Sequence, residues 1–387
     1  MEDSCTSGES AVSVHVGIDY TSAIRQGAGI GRLTRGLVQG LSGLDRENRY
    51  SLIIKGPVPF LDLPPNFKAC RLPFSERFSH IVWHRLGLPL AADLFTGPLD
   101  LFHSPDYLLP PLRTGARIIT VHDLTFLVVP QYAEPALARY LAKKLPRSIE
   151  QATVVLADSE NTRKDLVSLL RVPPEKVEVV YAGIDPTFTP VTDKDRLDSV
   201  RSKHGLDAPF ILNVGTLEPR KNLEGLLRAY ALMRNEGHLP HRLALAGGRG
   251  WLYQGLFRLV EELGLRDSVS FLGYVAEEDL PVLLSLADVF VYPSFYEGFG
   301  LPPLEAMACG TPVVASRAPC LPEVLGDAAL LVDPADHHEI ASAVLRVLEN
   351  NELRLSQVAK GTTQAAKYTW KAAAEKTLSV YRRATVS

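Results

Sequence analysis

The sequence predicts an α/β fold built from two doubly wound parallel sheets. Three observations predict it. Short apolar runs alternate with helical stretches in both halves of the chain, which is the pattern of parallel strands joined by crossover helices. The chain has 387 residues, more than one core ordinarily organises, so two domains are expected. Several of the apolar runs end in glycine-rich turns, the place where such sheets hold ligands.

In the first half, residues 12–19 alternate and then turn apolar, which reads as a strand. Gly27-Ala28-Gly29-Ile30-Gly31 follows, and then Leu33, Leu37 and Leu41 at a spacing of four, which marks a helix. Further strands are expected at 50–54, 99–103, 117–121, 153–157 and 177–180. At 189–195 the pattern loosens into a polar, charged connector. The second half then repeats the alternation, with strands at 210–215, 243–248, 269–273, 289–292, 312–315 and 329–332 and a helix at 223–233. The tail at 370–381 reads as one amphipathic helix. No low-complexity segment or internal sequence repeat interrupts this plan.

Composition narrows the functional class. Hydrophobic residues make up 46% and charged residues 22%, ordinary values for a soluble globular chain. A net charge of -3 gives no global basic field for nucleic acid. The first ten residues are polar and slightly acidic, without the basic and apolar regions of a secretory signal. No run approaches the ~18 apolar residues of a membrane span. The expectation is a cytoplasmic protein. Cys5, Cys70, Cys309 and Cys320 show no C-x-x-C spacing, so neither a metal site nor a disulfide framework is expected.

The most informative stretch runs from Tyr296 to Val314. Glu297 and Glu305 flank Gly298-Phe299-Gly300-Leu301-Pro302-Pro303. Prolines suit a first helical turn, where the missing N–H groups cost nothing. The N–H groups of Phe299, Gly300 and Leu301 then gather at a helix N-terminus, which attracts phosphate or a developing oxyanion. Gly298 and Gly300 let backbone approach a ligand closely. Glu305 is expected in the first helical turn and Glu297 in the preceding loop, so the two hold different parts of one ligand. The bland alternative is a solvated Glu297 and a Glu305 that only complements the helix dipole.

A second motif, Gly215-Thr216-Leu217-Glu218-Pro219-Arg220-Lys221-Asn222, joins a strand to a helix. Adjacent Arg220 and Lys221 can clamp a diphosphate, one as a fork and the other as a point charge. They would neutralise a leaving nucleoside diphosphate without metal. An exposed basic turn is the structural alternative.

Together these motifs resemble the retaining glycosyltransferases of the GT-B fold, family 4, in their mannosyltransferase-like subgroup. Glu297 and Glu305 with Gly298-Phe299-Gly300 between them, the turn from Gly215 to Asn222, Ala182-Gly183-Ile184-Asp185, and the run from Cys309 to Val314 carry the likeness. It spans nearly the whole chain. The resemblance implies an acceptor-side domain over 1–190, a nucleotide-sugar domain over 205–369 and a helix over 370–387 that returns to the first domain. It implies that Glu305 binds the ribose, Glu297 the donor sugar, and Phe299 to Leu301 the sugar and phosphates. Arg220 and Lys221 would stabilise the diphosphate. Many members carry Arg where this chain has Thr216, so Arg220 is expected to supply that charge. Gly29, Ile30 and Gly31 resemble the first-domain glycine loop that closes over the diphosphate. As a dinucleotide fingerprint they fail the G-x-G-x-x-G spacing. His122 ends a strand and would lie by the donor sugar. Asp123 beside it reads equally as a cap. Ser159 and Arg163 match a further family segment, with helix capping as the alternative. Base contacts are expected near Gly248 and at Tyr274 and Val275.

Two features are set aside. Asp193-Lys194-Asp195 is a D-x-D match, but it lies in the connector with no strand before it and reads as solvated. Arg139, Lys143, Lys144 and Arg147 share a helix face; with Phe78, Trp83, His84 and Arg85 they offer a contact for a lipid-linked acceptor or an anionic membrane surface. A solvated face and core aromatics are the plainer reading.

The expected activity is transfer of a hexose, with mannose from GDP-mannose the first choice, to a hydroxyl acceptor with retention. The partners are the nucleotide sugar and a glycan or lipid-linked glycan, with peripheral contact at the inner face of a membrane. No metal or cofactor beyond the donor is expected. The rivals are a sugar-nucleotide epimerase of the same fold and, more distantly, a dinucleotide-dependent oxidoreductase.

Overall fold

Thirteen short strands, almost all rich in Val, Ile, Leu and Ala, form two all-parallel sheets in a computed structural model that describes residues 13–386, apart from 28, 87, 89, 237 and 238. The first sheet uses β1 (His15–Asp19), β2 (Arg49–Lys55), β3 (Phe67–Leu72), β4 (Leu101–Ser104), β5 (Ala116–Val121), β6 (Val154–Ala157) and β7 (Val177–Val179), in the order β3-β2-β1-β4-β5-β6-β7. The second uses β8 (Phe210–Val214), β9 (Arg242–Ala246), β10 (Val269–Gly273), β11 (Val289–Tyr292), β12 (Val313–Ser316) and β13 (Ala329–Val332), in the order β10-β9-β8-β11-β12-β13. Helices separate most consecutive strands, so both sheets are doubly wound, as the alternation predicts.

Strands buried on both faces read as near-continuous apolar runs. β11 and β12 are buried at every position. Ile211, Leu243, Val289, Val291 and Val314 from the second sheet pack with Leu226, Leu227 and Tyr230 of the helix Leu223–Glu236 and with Ile340 and Val344 of His337–Glu349. Truncating one such leucine costs ~2–5 kcal/mol.

β3 is a strand that the apolar rhythm does not announce. It lies at the sheet edge, and its inner residues Lys68, Ala69, Cys70 and Arg71 are only partly buried or exposed, so it lacks the buried run that marks its neighbours. The connector also orders sooner than its polarity suggests. A helix Lys194–Lys203 starts inside it, with the Asp193 carboxylate accepting from the N–H groups of Asp195 and Arg196. One half of the D-x-D match is thus a helix cap.

The chain separates into two compact units. One comprises residues up to Thr120, Arg147–Val155 and the tail from Ala374; the other comprises Val121–Pro146 and Leu156–Ala373. Within the first, Tyr381 of the last helix, Trp370–Val386, is buried with its hydroxyl 2.7 Å from Nδ1 of His103, whose Nε2 lies 2.8 Å from the Thr120 hydroxyl. Gly29, Ile30 and Gly31 belong to this unit. Gly29, at φ 57°, is the N-cap of the helix Ile30–Leu44, and a Cβ on Gly31 would strike the Gln26 carbonyl oxygen at 2.1 Å. No described helix is long and apolar enough to cross a membrane.

In the second sheet the winding reverses between β8 and β11. β8 pairs with β9 on one side and with β11 on the other. Loops leaving the carboxyl ends of two such strands diverge and leave a crevice for a ligand.

Candidate active site at the winding reversal of the second sheet

The two motifs singled out in the sequence are the loops that leave β8 and β11. β8 runs into Gly215 and then a 3-10 turn, Pro219–Lys221. β11 runs into residues 293–300 and then the helix Leu301–Ala308. Because the strands are hydrogen-bonded neighbours, Arg220 and Lys221 arrive beside Glu297 despite a separation of 76–77 residues.

The contact is a buried charge cluster. Lys221 Nζ donates to Glu297 Oε1 at 2.7 Å, and Arg220 Nη1 donates to Glu297 Oε2 at 2.8 Å. Arg220 also donates through Nε and Nη2 to Glu218 Oε1, at 3.1 and 2.8 Å, and through Nη1 to the Tyr296 carbonyl at 2.8 Å. Lys221 Nζ donates to the Tyr292 hydroxyl at 2.7 Å. Lys221 and Glu297 are 8% and 6% exposed, so this is neither a solvated Glu297 nor an open basic turn. Two carboxylates offset two cations.

Burial by itself raises the Glu297 carboxyl pKa, but the charges of Arg220 and Lys221 override it and hold the group down to about 2. For Lys221, burial is the largest influence and lowers its pKa; Glu297 opposes that, while Arg220 adds to it. The two shifts pull the pair's energetics in opposite directions. The direct 2.7 Å contact supports an ionised Glu297 bridging both cations.

The turn is held by Asn222, in the left-handed region at φ 55°. Its amide donates to the carbonyls of Pro293 and Pro334, and its oxygen accepts from Gly225 N–H. Asn tolerates this conformation because its short polar side chain bonds locally. Phe295 N–H donates to the Arg220 carbonyl at 2.9 Å, a further tie between the two loops. Glu218, Asn222, Tyr292 and Tyr296 thus carry the geometry without having been assigned a role from sequence. For Tyr292 the only signal was an aromatic at a buried strand end, which reads as core.

The helix start is formed as its prolines predict, with Pro at its first positions and Gly300 at the N-cap. Gly300 has φ 100° and lies against Leu321, so a side chain there is excluded twice. Phe299 is buried, and its carbonyl accepts from the Cys320 thiol. Glu305 is the fifth residue of the helix and 1% exposed, so it sits in the second turn, one turn later than its expected place. The helix already begins at Leu301, directly after the left-handed Gly300, which leaves Glu305 four residues beyond its first position.

His122, the residue that follows β5, belongs to this unit and is 8% exposed. Its Nδ1 lies 2.7 Å from Asp158 Oδ2, and its carbonyl accepts from the Thr162 hydroxyl. A Cβ on Gly298 would come within 2.1 Å of the His122 carbonyl oxygen. This glycine therefore permits the glutamate loop and the histidine loop to touch. Asp123 accepts from Thr125 N–H, the capping alternative. Ser159 is the N-cap of the helix Glu160–Leu170, and Arg163 pairs with Glu160 at 3.3 Å. The segment around Gly183 docks onto Trp370, where a Cβ would meet Trp370 N at 2.1 Å.

Gly215 is knit to the next loop. Its N–H donates to the Ala246 carbonyl, and Leu217 N–H donates to Gly248 at 2.9 Å. Thr216 is exposed beside them. Gly247 N–H donates to Gly273 at 2.7 Å, which brings in the loop bearing Tyr274, 61% exposed, and Val275, buried. Gly248 has open space where a Cβ would stand. The structure thus brings His122, Arg220, Lys221, Glu297 and the glycines at 215, 248, 298 and 300 into one unit, whereas Gly29, Ile30 and Gly31 belong to the other. Among the described residues no group of three or more His, Cys, Asp and Glu is placed to hold a metal ion.

Comparison with known proteins accords with this arrangement. The family model described as Glycosyl transferases group 1 matches residues 195–364, and that described as Glycosyltransferase Family 4 matches residues 28–188. The chain is 37% identical over 283 residues to the O-antigen chain mannosyltransferase B of Escherichia coli, covering 73% of this chain and 74% of that protein. It is 30% identical to the serotype-specific mannosyltransferase WbdA of Escherichia coli over 65% of its length, but spans only 32% of that longer protein. Among solved structures, sucrose-phosphate synthase from Thermosynechococcus elongatus superposes with a TM-score of 0.77 at 23% identity, over 96% of this chain and 98% of that one. The two parallel sheets are those of the GT-B fold, and the chain belongs to glycosyltransferase family 4, the glycosyl transferases of group 1: it is a glycosyltransferase.

Proposed function

We propose that the chain transfers mannose from GDP-mannose to a hydroxyl of a glycan, with retention of anomeric configuration. The observation that carries the reading is the self-neutralised cluster of Arg220, Lys221 and Glu297 at the winding reversal. The choice of sugar draws on two mannosyltransferase relatives, one of them 37% identical.

In this reading the donor diphosphate takes over the partners of Glu297. Arg220 and Lys221 turn toward the phosphates, and the N–H groups of Phe299, Gly300 and Leu301 add the positive end of their helix. Glu297 is released to the hydroxyls of the donor sugar. His122, held by Asp158, orients the same sugar. Glu305 takes the ribose, and the loops at Gly248 and at Tyr274 and Val275 take the base. Gly29, Ile30 and Gly31 supply the glycine loop of the first unit. The bond from anomeric carbon to phosphate oxygen breaks, and its electron pair leaves with the diphosphate. The acceptor oxygen attacks on the same face and gives its proton to the departing phosphate oxygen. Preorganised cations around a developing anion are worth ~3–4 kcal/mol per donor removed.

The acceptor belongs to a glycan or lipid-linked glycan, and the helix Pro135–Gln151 offers exposed Arg139, Lys143 and Arg147 toward an anionic membrane surface. A thermal-shift panel of GDP, UDP, ADP and their sugars tests the donor, because a ligand bound only by the folded state raises its stability. GDP and GDP-mannose are expected to give the largest shifts. No shift with any nucleotide would sink the reading. Incubating the donor without acceptor separates transfer from epimerisation, since an epimerase would convert the free nucleotide sugar.

A further inference from the structure

A cavity of about 340 Å³ lies in the same unit, walled in part by Glu218, Pro219 and Asn222 of the basic turn. It has the volume of a small-ligand pocket. Its walls include Glu218 and Pro219, the start of the helix Leu223–Glu236, Leu252 and Tyr253, and His337. Tyr132 and Phe295 also line it, with rings stacked at 4.6 Å between centroids and parallel to within 5°. Arg220, Lys221, Glu297 and Glu305 are not among the residues that line it.

The lining chooses among ligand classes. Of the charged lining residues, Glu218 is paired with Arg220 and Glu224 with Arg228, so the guanidinium in the wall already has a carboxylate and is not held open for a phosphate. Glu224 also sits in the first helical turn, where it would repel an anion from the helix N-terminus. Arg228 pairs with Glu224 at 2.8 Å, and both are well exposed, so both keep polar atoms available to hydroxyls. Flat aromatic surface plus hydroxyl-binding ends is the chemistry of a neutral sugar ring. Leu252 adds a strained position: a bulky residue held at φ 55° and 65% exposed at the rim. Such a conformation costs ~1–3 kcal/mol and concentrates at ligand clamps.

We infer that this cavity binds a neutral saccharide residue, a non-reacting unit of the acceptor or product glycan. The inference rests on the glycosyl-transfer reading. Its location gives a consequence for the reaction. Glu218 borders the cavity and holds Arg220, and the Phe295 backbone bonds to the Arg220 carbonyl. A glycan seated here touches the residues that fix the donor cation.

The test uses the full chain with GDP present to occupy the donor grip. Mannobiose and mannotriose are titrated by saturation-transfer NMR, and the transfer rate is measured with mono- and trisaccharide acceptors. The expected result is saturable binding at roughly 10 mM or below, where a site worth ~4 kcal/mol is mostly filled. Tyr253→Ala and His337→Ala should each weaken it at least about fivefold and raise KM for the trisaccharide only. The GDP-induced thermal shift should be unchanged, which shows that the variants fold. No saturable signal in wild type, or binding undiminished in both variants, overturns the inference. A chain that binds GDP and transfers mannose yet binds no saccharide here loses this inference alone. A chain that binds saccharide but no nucleotide keeps it and loses the donor assignment.

Discussion

Replacing Glu297 by Gln should weaken the protein and tighten its hold on nucleotide at the same time. The substitution keeps shape but removes one of the two carboxylates that offset Arg220 and Lys221. Orphaning a buried ion costs ~3–5 kcal/mol. Arg220 retains Glu218 and the Tyr296 carbonyl, so the burden falls on Lys221, left with Tyr292. Lys221 can also shed its proton, since burial already lowers its pKa. The cost therefore falls at or just below the bottom of that range, ~2–3 kcal/mol, or a fall in Tm of ~5–10 °C for a unit of this size. In the proposed reaction of the wild type an arriving diphosphate displaces Glu297 from both cations. In the variant it meets cations already short of negative charge. GDP affinity should rise about tenfold, an electrostatic gain of ~1.4 kcal/mol, while mannose transfer falls by two orders of magnitude or more. Calorimetric titration with GDP and initial rates with GDP-mannose measure the two halves separately. Weaker GDP binding in the variant, together with unchanged unliganded stability, would refute the reasoning.

Lys221→Ala should lower kcat by ~10²–10³ in steady-state assays, and Lys221→Arg should not restore it, because a planar fork does not reproduce a point charge lodged between Tyr292 and Glu297. Gly298→Ala forces a Cβ to within 2.1 Å of the His122 carbonyl, so transfer should collapse while the GDP-induced thermal shift survives. Glu297 also sets an acid limit. Its folded pKa, about 2, lies below the 4.5 of the free side chain, so its stabilisation is complete above about 4.5 and is lost as pH falls toward 2. That span is worth ~3 kcal/mol. Acid titrations followed by circular dichroism should show wild type and Glu297→Gln converging over that window, and parallel curves would contradict the pairing.

The two doubly wound sheets were legible because their strands are buried on both faces and carry few polar residues. β3 escaped for the converse reason: an edge strand with Lys68 and Arg71 among its inner residues carries no such signature. The residues of the proposed donor grip were legible as separate motifs, since glycines, prolines and charges mark loops directly. Their contact was not. Arg220 and Glu297 meet because β8 and β11 are neighbours across a winding reversal, and pairing order between distant strands leaves no local trace. Tyr292 and Tyr296 were invisible as site residues because a buried aromatic, at a strand end or in the loop after it, looks the same whether its hydroxyl is used or not. Glu305 was placed a turn early because the prolines mark a first turn without showing that the helix already starts at Leu301, directly after the left-handed Gly300.

The contact also decides what Glu297 can do. A carboxylate in a glycosyl-transfer site invites assignment as acid or base. A general acid must hold its proton near neutral pH, and an efficient base needs a pKa close to the working pH. Held down to about 2 by two cations, Glu297 is ionised throughout the physiological range and far too weak a base to draw a proton from a hydroxyl. Donor binding that removes Arg220 and Lys221 to the diphosphate would raise this pKa, but burial would then be raising it beside a second anion, which favours hydrogen bonding to sugar hydroxyls over free charge. In the proposed reaction the residue therefore has two successive tasks, counter-charge for the empty grip and clasp for the sugar in the filled one. Proton transfer is left to a group that becomes basic only during the reaction, and the departing phosphate oxygen is the one group in the proposed reaction that gains negative charge as the bond breaks.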